Sequence, residues 1–406
     1  MPRGVETSPG NCALVLNAGS SSLKFGVYRV GGNTAWPLDA RGQIDGIGAA
    51  PRLAVKDGTG VVLADTALAP PAVDGRAAVE HVMRWVDERY GGSRVAGVGH
   101  RVVHGGAAYA APCVVTPTVL ADLRALVPLA PLHQPHNLDV IAAVAARVPG
   151  VPQVACFDTS FHRGRAAVTT LVPLPREIRD AGIERYGFHG LSYEYVASVL
   201  PAVAPDVADG RVIVAHLGNG ASLCALKRRR SIDTTFGFTA LDGLCMGTRP
   251  GALDPGVILH LFQTMGRTAA EVEAILYEQS GLLGISGISN DMRQLAGNDD
   301  PAARLAVDYF VYQAAKHIGA LAAVLGGLDA LVFTAGIGEH SAEIRRRICA
   351  ASAWLGLELD SAANDSHAAR ISTAGSRVSA WIVPTDEEAM IARHMHTLLG
   401  AGKGGT

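Results

Sequence analysis

The sequence predicts an α/β protein made of two similar domains, and three observations carry that prediction. A chain of 406 residues is too long for one ordinary core and suits two domains of roughly 200 residues each. Hydrophobic residues make up 49% and charged residues 18%, enough apolar surface to fill two such cores. Most informative is an internal echo. Val15-Leu-Asn-Ala-Gly-Ser-Ser-Ser-Leu23 lies almost half a chain before Val214-Ala-His-Leu-Gly-Asn-Gly-Ala-Ser-Leu223. The second carries one extra residue, yet apolar run, glycine turn, Ser-Leu and second strand follow in the same order. Duplication accounts for the echo better than a chance match of short turns, because each turn opens a domain-sized block. Two such domains are expected to leave a ligand-binding cleft between them.

The elements follow in order. Strand-like runs cover 13–16 and 24–30 around the turn 17–22, and another covers 95–103, ending in His104-Gly-Gly. A helical stretch at 138–147 leads to a strand at 154–157 and then to Asp158. Strands at 212–215 and 221–226 flank His216-Leu-Gly-Asn-Gly220, and the basic run 227–230 reads as a solvated hairpin tip. Helices are expected at 255–265, 269–279, 300–325 and 341–349, strands at 331–334 and 381–383, and a closing helix from Glu387. The longest apolar stretch, 317–338, contains glycines and Asp329 and reads as core helix, turn and strand, not as a membrane span. Residues 1–10 and 401–406 read as loose ends.

Charge and cysteines narrow the function. The 35 basic and 37 acidic residues nearly cancel, so no general attraction to nucleic acid or membrane is expected and any anion must be gripped locally. Six scattered cysteines without a C-x-x-C pair, and no apolar signal core at the start, point to a reducing, cytoplasmic setting.

Phosphate binding needs close backbone approach, which glycine and serine permit, with N–H donors facing the oxygens. The turn 17–22 with Lys24 offers small residues, three hydroxyls and a cation. It is not a Walker A loop, since G-x-x-x-x-G-K-[ST] is absent. Residues 216–220 and Gly336-Ile-Gly-Glu-His340 repeat the theme after apolar strands, the latter ahead of a helix whose N–H groups suit a nucleotide. Other residues suit a carboxylate. Arg101 stands at a strand end between His100 and His104, and Arg249 lies in Met246-Gly-Thr-Arg-Pro250; the planar arginine fork grips carboxylates and phosphates in two places. Asp158 closes a strand, and His189 sits in Arg185-Tyr-Gly-Phe-His-Gly190. The spacing of His100 and His104 fits a zinc pair on a helix, but the valines between them argue for a strand, and Mg²⁺ is the expected ion.

Taken together these stretches resemble the acetate kinase family. Leu16-Asn-Ala-Gly-Ser-Ser-Ser-Leu-Lys24 resembles its first signature, and Phe238-Thr-Ala-Leu-Asp-Gly-Leu-Cys-Met-Gly-Thr-Arg-Pro-Gly251 its second. Similar stretches at 100–106, 157–159, 185–190, 216–220, 286–293, 333–339 and 384–388 spread the likeness over residues 14–388. The resemblance implies duplicated actin-like, sugar-kinase-like (ribonuclease H-like) domains with the active site in the cleft between them, commonly in a homodimer. Residues 1–158 with 388–406 would form the acyl-substrate domain and 159–387 the nucleotide domain. The implied reaction is Mg²⁺-dependent, with Mn²⁺ as a substitute. It moves a phosphoryl group reversibly from ATP, the co-substrate, to acetate, giving acetyl phosphate and ADP.

Carried over residue by residue, Asn17 and Glu387 would help hold the metal and Lys24 a nucleotide phosphate. Arg101 would bind the acyl substrate beside Val103, Leu132 and Phe188, with Asp158 as acid/base or positioning carboxylate. His189 and Arg249 would stabilise the phosphoryl group in flight. ATP would contact His216, Leu217, Gly218, Asn219 and Gly220, then Asp291, Met292 and Arg293, and finally Gly336, Ile337, Gly338, Glu339 and His340. A carboxylate is already nucleophilic at neutral pH, so direct in-line transfer needs positioning and charge neutralisation more than a strong base.

The chain departs from the family pattern at Ala240, where proline is usual, Ala252 for aspartate, Tyr193 for histidine and His340 for asparagine. Ala240 is expected near the acyl methyl. Propionate or butyrate kinases would share nearly every motif. A sugar or glycerol kinase predicts sugar contacts instead of two arginines, and a chaperone nucleotide domain predicts a long extension that is absent here.

Overall fold

The computed structural model describes residues 11–19, 22–31, 35–68, 74–90 and 94–400. Ser20 and Ser21 of the first glycine turn, and both expected loose ends, lie outside the described residues. The chain divides into two compact units, Met1–Ser160 with Asp386–Thr406 and Phe161–Thr385. Glu387, assigned from sequence to the second domain, therefore belongs to the first unit.

The first unit carries β1 (Cys12–Ala18), β2 (Ser22–Arg29), β3 (Leu38–Asp45), β4 (Arg52–Asp57), β5 (Val62–Ala67), β6 (Val95–Val102), β7 (Cys113–Val114) and β8 (Gln153–Phe157). They form one sheet in the order β5-β4-β3-β2-β1-β6-β8-β7. β1 is buried throughout, because it pairs with β2 antiparallel and β6 parallel and both its faces are covered. One face packs Leu14, Leu16 and Val98 against Val79, Val82, Met83, Val140 and Val144 of the helices Gly75–Arg89 and Gln134–Arg147. The closing helix Glu387–Gly400 lies on the other face of β6. Gly97 and Gly99 point that way. A Cβ on Gly99 would stand 2.5 Å from Met395 Sδ and 2.6 Å from Ile391 Cγ2, so only glycine lets the helix this close.

The second unit holds β9 (Arg211–Leu217), β10 (Ala221–Lys227), β11 (Arg230–Thr234), β12 (Ala330–Thr334) and β13 (Ser379–Ile382), in the order β11-β10-β9-β12-β13. The helix Pro301–Leu325 packs on β9 and β10. Asp300 caps its start by accepting from Ala302 N, Pro301 occupies its first turn, and Gly326 ends it at φ 72°. Arg228 and Arg229, both at positive φ, form the tip of the β10–β11 hairpin.

Two antiparallel and then two parallel pairings recur. β3-β2-β1-β6-β8 in the first unit matches β11-β10-β9-β12-β13 in the second. The echo in sequence is thus a duplicated actin-like fold. One expectation is corrected: Gly336–His340 is not a turn but lies in a short helix, Ala335–His340, because the Glu339 carboxylate accepts the Ala335 amide at 2.7 Å and closes the turn. Among the described residues no helix is long and apolar enough to cross a membrane.

Candidate active site

In the first unit, strand register builds a charged cluster. β6 and β8 run parallel with Val102 opposite Phe157, which puts Arg101 and Asp158 at neighbouring carboxyl-terminal strand ends, where α/β sheets carry their chemistry. Arg101 Nε donates to both Asp158 oxygens at 3.1 Å and Nη2 to Oδ2 at 2.6 Å. Asp158 is 1% exposed and the Arg101 side chain 16%. Burial pushes the Asp158 carboxyl up to about 6; pairing with Arg101 opposes the rise and the nearby Glu387 charge adds to it. Burial works against the Arg101 charge, but Asp158 and Glu387 outweigh it and hold the guanidinium ionised. Asp158 thus holds Nε and Nη2, and Nη1 is an edge on which a carboxylate could be gripped.

Glu387 Oε2 lies 3.9 Å from Arg101 Nε and accepts from Asn17 Nδ2 at 3.0 Å. The same Asn17 nitrogen donates to Glu388 Oε1 at 2.8 Å. Burial, then the Glu387 charge, raise the Glu388 carboxyl above its ordinary value, while Lys24 and Asn17 lower it. Two carboxylates crowded around one amide are a donor set that a small divalent ion suits: few protein oxygens, with water and phosphate completing the shell. Among the described residues no group of three or more His, Cys, Asp or Glu gathers as a metal cage. Lys24 lies opposite Asn17 in the β1–β2 pair, exposed.

Val103, buried just beyond β6, is tied through its amide to Asn137 Oδ1 at 3.0 Å, and Asn137 Nδ2 reaches Ala18 O at 2.9 Å. Leu132 is half-buried ahead of the helix Gln134–Arg147. His100 bonds Gln153 through Nε2 at 2.7 Å, and His104 Nδ1 accepts the Gly106 amide at 2.8 Å, so both rings hold structure.

The second unit focuses two side-chain nitrogens on one glycine. A Cβ on Gly220 would lie 2.7 Å from Arg249 Nη2 and 3.3 Å from His189 Nε2, so both nitrogens converge on the space above it. Arg249 is aimed by Nη1 donating to Ala240 O at 2.7 Å. His189 adopts φ 58° at the start of the helix Gly190–Val203, a left-handed conformation rare outside glycine. Its Nδ1 lies 2.8 Å from Ser222 Oγ, and its ring stacks on His216 with centroids 4.0 Å apart. Phe188 is buried edge-on to Phe236.

A cavity of about 530 Å³ in the same unit is lined by Gly218, Asn219, Asp291, Met292 and Arg293, with Gly336, Ile337 and His340 opposite. Sequence reasoning missed Asn290, Ala296 and Ser341 in its wall. Besides Lys24, five other expected nucleotide contacts lie outside this cavity's lining. His216 bonds Ser192 Oγ and stacks on His189, Gly220 lies under Arg249, and Leu217 is wholly buried core. Gly338 is buried and Glu339 Oε1 holds the Ala335 and Thr385 amides. Glu388 was also missed, although the tandem Glu387-Glu388 was a signal for it.

The acetokinase family model matches residues 12–393. The acetate kinase of Rhodopseudomonas palustris is 55% identical over 394 residues, covering 96% of this chain and 99% of the relative. That of Rhizobium meliloti is 51% identical, covering 96% and 98%. Among solved structures, a propionate kinase from Francisella tularensis gives a TM-score of 0.86 at 34% identity, covering 95% of this chain and 98% of its own. The acetate kinase of Porphyromonas gingivalis gives 0.83 at 35%, covering 96% and 100%.

Proposed function

The chain belongs to the acetokinase family and is a phosphotransferase with a carboxyl acceptor, and we propose how its residues divide that reaction. The reaction moves the γ-phosphoryl group of ATP to acetate, giving acetyl phosphate and ADP. Acetate binds through its carboxylate to Arg101 Nη1, while Asp158 grips the other edge of the guanidinium and acts as a positioning carboxylate. Val103, Leu132 and Phe188 are assigned to its methyl end. ATP occupies the cavity between Asn219, Asp291 and Ile337. Arg249 and His189 then neutralise the equatorial oxygens of a loose, in-line transition state.

That convergence of Nη2 and Nε2 over Gly220 is the observation that carries the reading. A divalent ion belongs to the family's chemistry; Asn17, Glu387 and Glu388 would hold Mg²⁺, which when bound neutralises nucleotide phosphate charge. No side chain needs to be phosphorylated on the way.

Self-association and a cytoplasmic setting are part of the proposal. The helix Pro255–Gln263 has no buried residue, yet it presents Val257, Leu259 and Phe262 beside exposed Leu253 and Met265, a face suited to a second copy. All six cysteines are free.

Hydroxamate capture of the acyl phosphate, run side by side with acetate, propionate and butyrate, tests the acceptor. Acetate is expected to lead; a higher kcat/KM for propionate would favour the reading in which Ala240 enlarges the pocket. Chiral phosphate label should emerge inverted, and retention would overturn direct transfer.

A further inference from the structure

We propose that Tyr193 and Ser222 are positioning residues that fix the tautomer of His189, leaving its Nδ1 bare and its proton on Nε2. The inference deepens the proposed function, resting on His189 as a donor to the phosphoryl group. Tyr193 stands one helical turn beyond His189, its amide bonded to His189 O at 3.1 Å, and Ser222 lies across from both on β10. Tyr193 and Ser222 are wholly buried. Tyr193 Oη is 2.5 Å from Ser222 Oγ, and Ser222 Oγ is 2.8 Å from His189 Nδ1.

The direction of these bonds follows by elimination. Burial raises the Tyr193 phenol well above its ordinary value, so the hydroxyl keeps its proton. Among the described residues Ser222 Oγ is the sole hydrogen-bond partner of that hydroxyl, and a buried O–H left without an acceptor is costly, so Tyr193 donates to Ser222. The Ser222 hydroxyl then has its own proton left to place. Its one remaining partner among the described residues is His189 Nδ1, which must therefore accept. An imidazole that accepts at Nδ1 and is neutral carries its proton on Nε2. That nitrogen is the one that shares the space above Gly220 with Arg249 Nη2, so two N–H donors, and no lone pair, face an incoming anion. The opposite tautomer would turn a lone pair toward the phosphoryl oxygens and repel them.

The test reads the ring directly. ¹⁵N-histidine NMR of the full chain near neutral pH, with the His189 signals assigned by their loss in His189→Gln, should show Nε2 protonated and Nδ1 bare. Tyr193→Phe removes one hydroxyl and frees the Ser222 proton to turn, so it should give a mixture of tautomers. In that variant kcat should fall about tenfold while KM for both substrates changes little, as for other partners that orient a catalytic imidazole. Ser222→Ala should act likewise, and Ser222→Thr, which keeps the hydroxyl, should restore both readouts. A wild-type ring protonated at Nδ1, or an unchanged tautomer in Tyr193→Phe, overturns the proposal, and neither result requires Ser222→Ala to fold. An Nε2–H ring whose removal in His189→Gln leaves turnover intact would instead sink the functional reading and leave the tautomer assignment standing.

Discussion

Gly220→Ala isolates the convergence of donors from the stability of the fold. The new methyl would stand 2.7 Å from Arg249 Nη2 and 3.3 Å from His189 Nε2, with no other atom nearer than 3.5 Å. Gly220 is not among the glycines at positive φ, so its backbone tolerates alanine. The clash falls on the far end of a flexible side chain, which can swing away at little cost to folding, and Tm should move by less than about 2 °C. Chemistry has no such freedom. Swinging Nη2 aside pulls Arg249 off its 2.7 Å anchor on Ala240 O, and the methyl fills the volume that the proposed transfer assigns to an equatorial oxygen. Losing one preorganised donor costs roughly 100- to 1000-fold in kcat, and this change disturbs two, so a loss of about 1000-fold is expected. Acyl phosphate formation by hydroxamate capture gives kcat, and calorimetric titration with ATP should show nucleotide binding nearly unchanged. A folded Gly220→Ala enzyme within about tenfold of wild type would refute the convergence argument.

Other predictions follow the same geometry. Arg249→Ala should lower kcat/KM by about 100-fold or more without changing the melting curve. Arg101→Ala should lose as much and also about 3 kcal/mol of stability, because it strands Asp158 in the interior; equal melting of the two variants would refute the pairing. The Asp158 carboxyl, pushed up to about 6, is ionised above that pH and takes a proton below it, releasing its grip on Arg101. The kcat/KM for acetate should therefore fall as pH drops through about 6, and in Asp158→Asn that inflection should vanish from the pH profile. Ala240→Pro keeps the carbonyl that anchors Arg249, so it should fold and turn over acetate while shifting preference away from propionate by about tenfold; an unchanged ratio would place the ring outside the acyl pocket.

The parts legible in sequence were those with a periodic or punctuated signal. The hairpins around Gly19 and Gly218, the buried strand into Asp158 and the capped helix Pro301–Leu325 all announce themselves by apolar runs ending in glycine, aspartate or proline. The meander β3–β5 did not, because Asp39, Arg41 and Gln43, or Asp65 and Thr66, interrupt the apolar residues on strands near a sheet edge. Glycine misled at 336–338: it reads as turn, but Glu339, only four residues on, accepts the Ala335 amide and the segment is a short helix. At the site, residue types were visible and their partners were not. Arg101 and Asp158 are 57 positions apart and meet through strand register alone, and Ala240 contributes a backbone oxygen that no side-chain motif can reveal. Asn290, Ala296 and Ser341 line the cavity by where they sit, having no diagnostic chemistry of their own.

The two glycines that let the closing helix settle on β6 impose an order on how the protein is made. Strands β1 to β8 leave the ribosome first, but the face of the sheet around Gly97 and Gly99 stays open until Ile391 and Met395 have been translated and the whole second unit has emerged. Domains usually fold as they are synthesised, the first one first. Here the first to be synthesised is the last to be finished, and it must wait with an apolar surface uncovered, a natural client for a chaperone. The same late helix brings Glu387 and Glu388 to Asn17 on its opening turn. A nascent chain therefore acquires the carboxylates proposed to hold the cation in the same step that seals its core, and a prematurely terminated one gains neither.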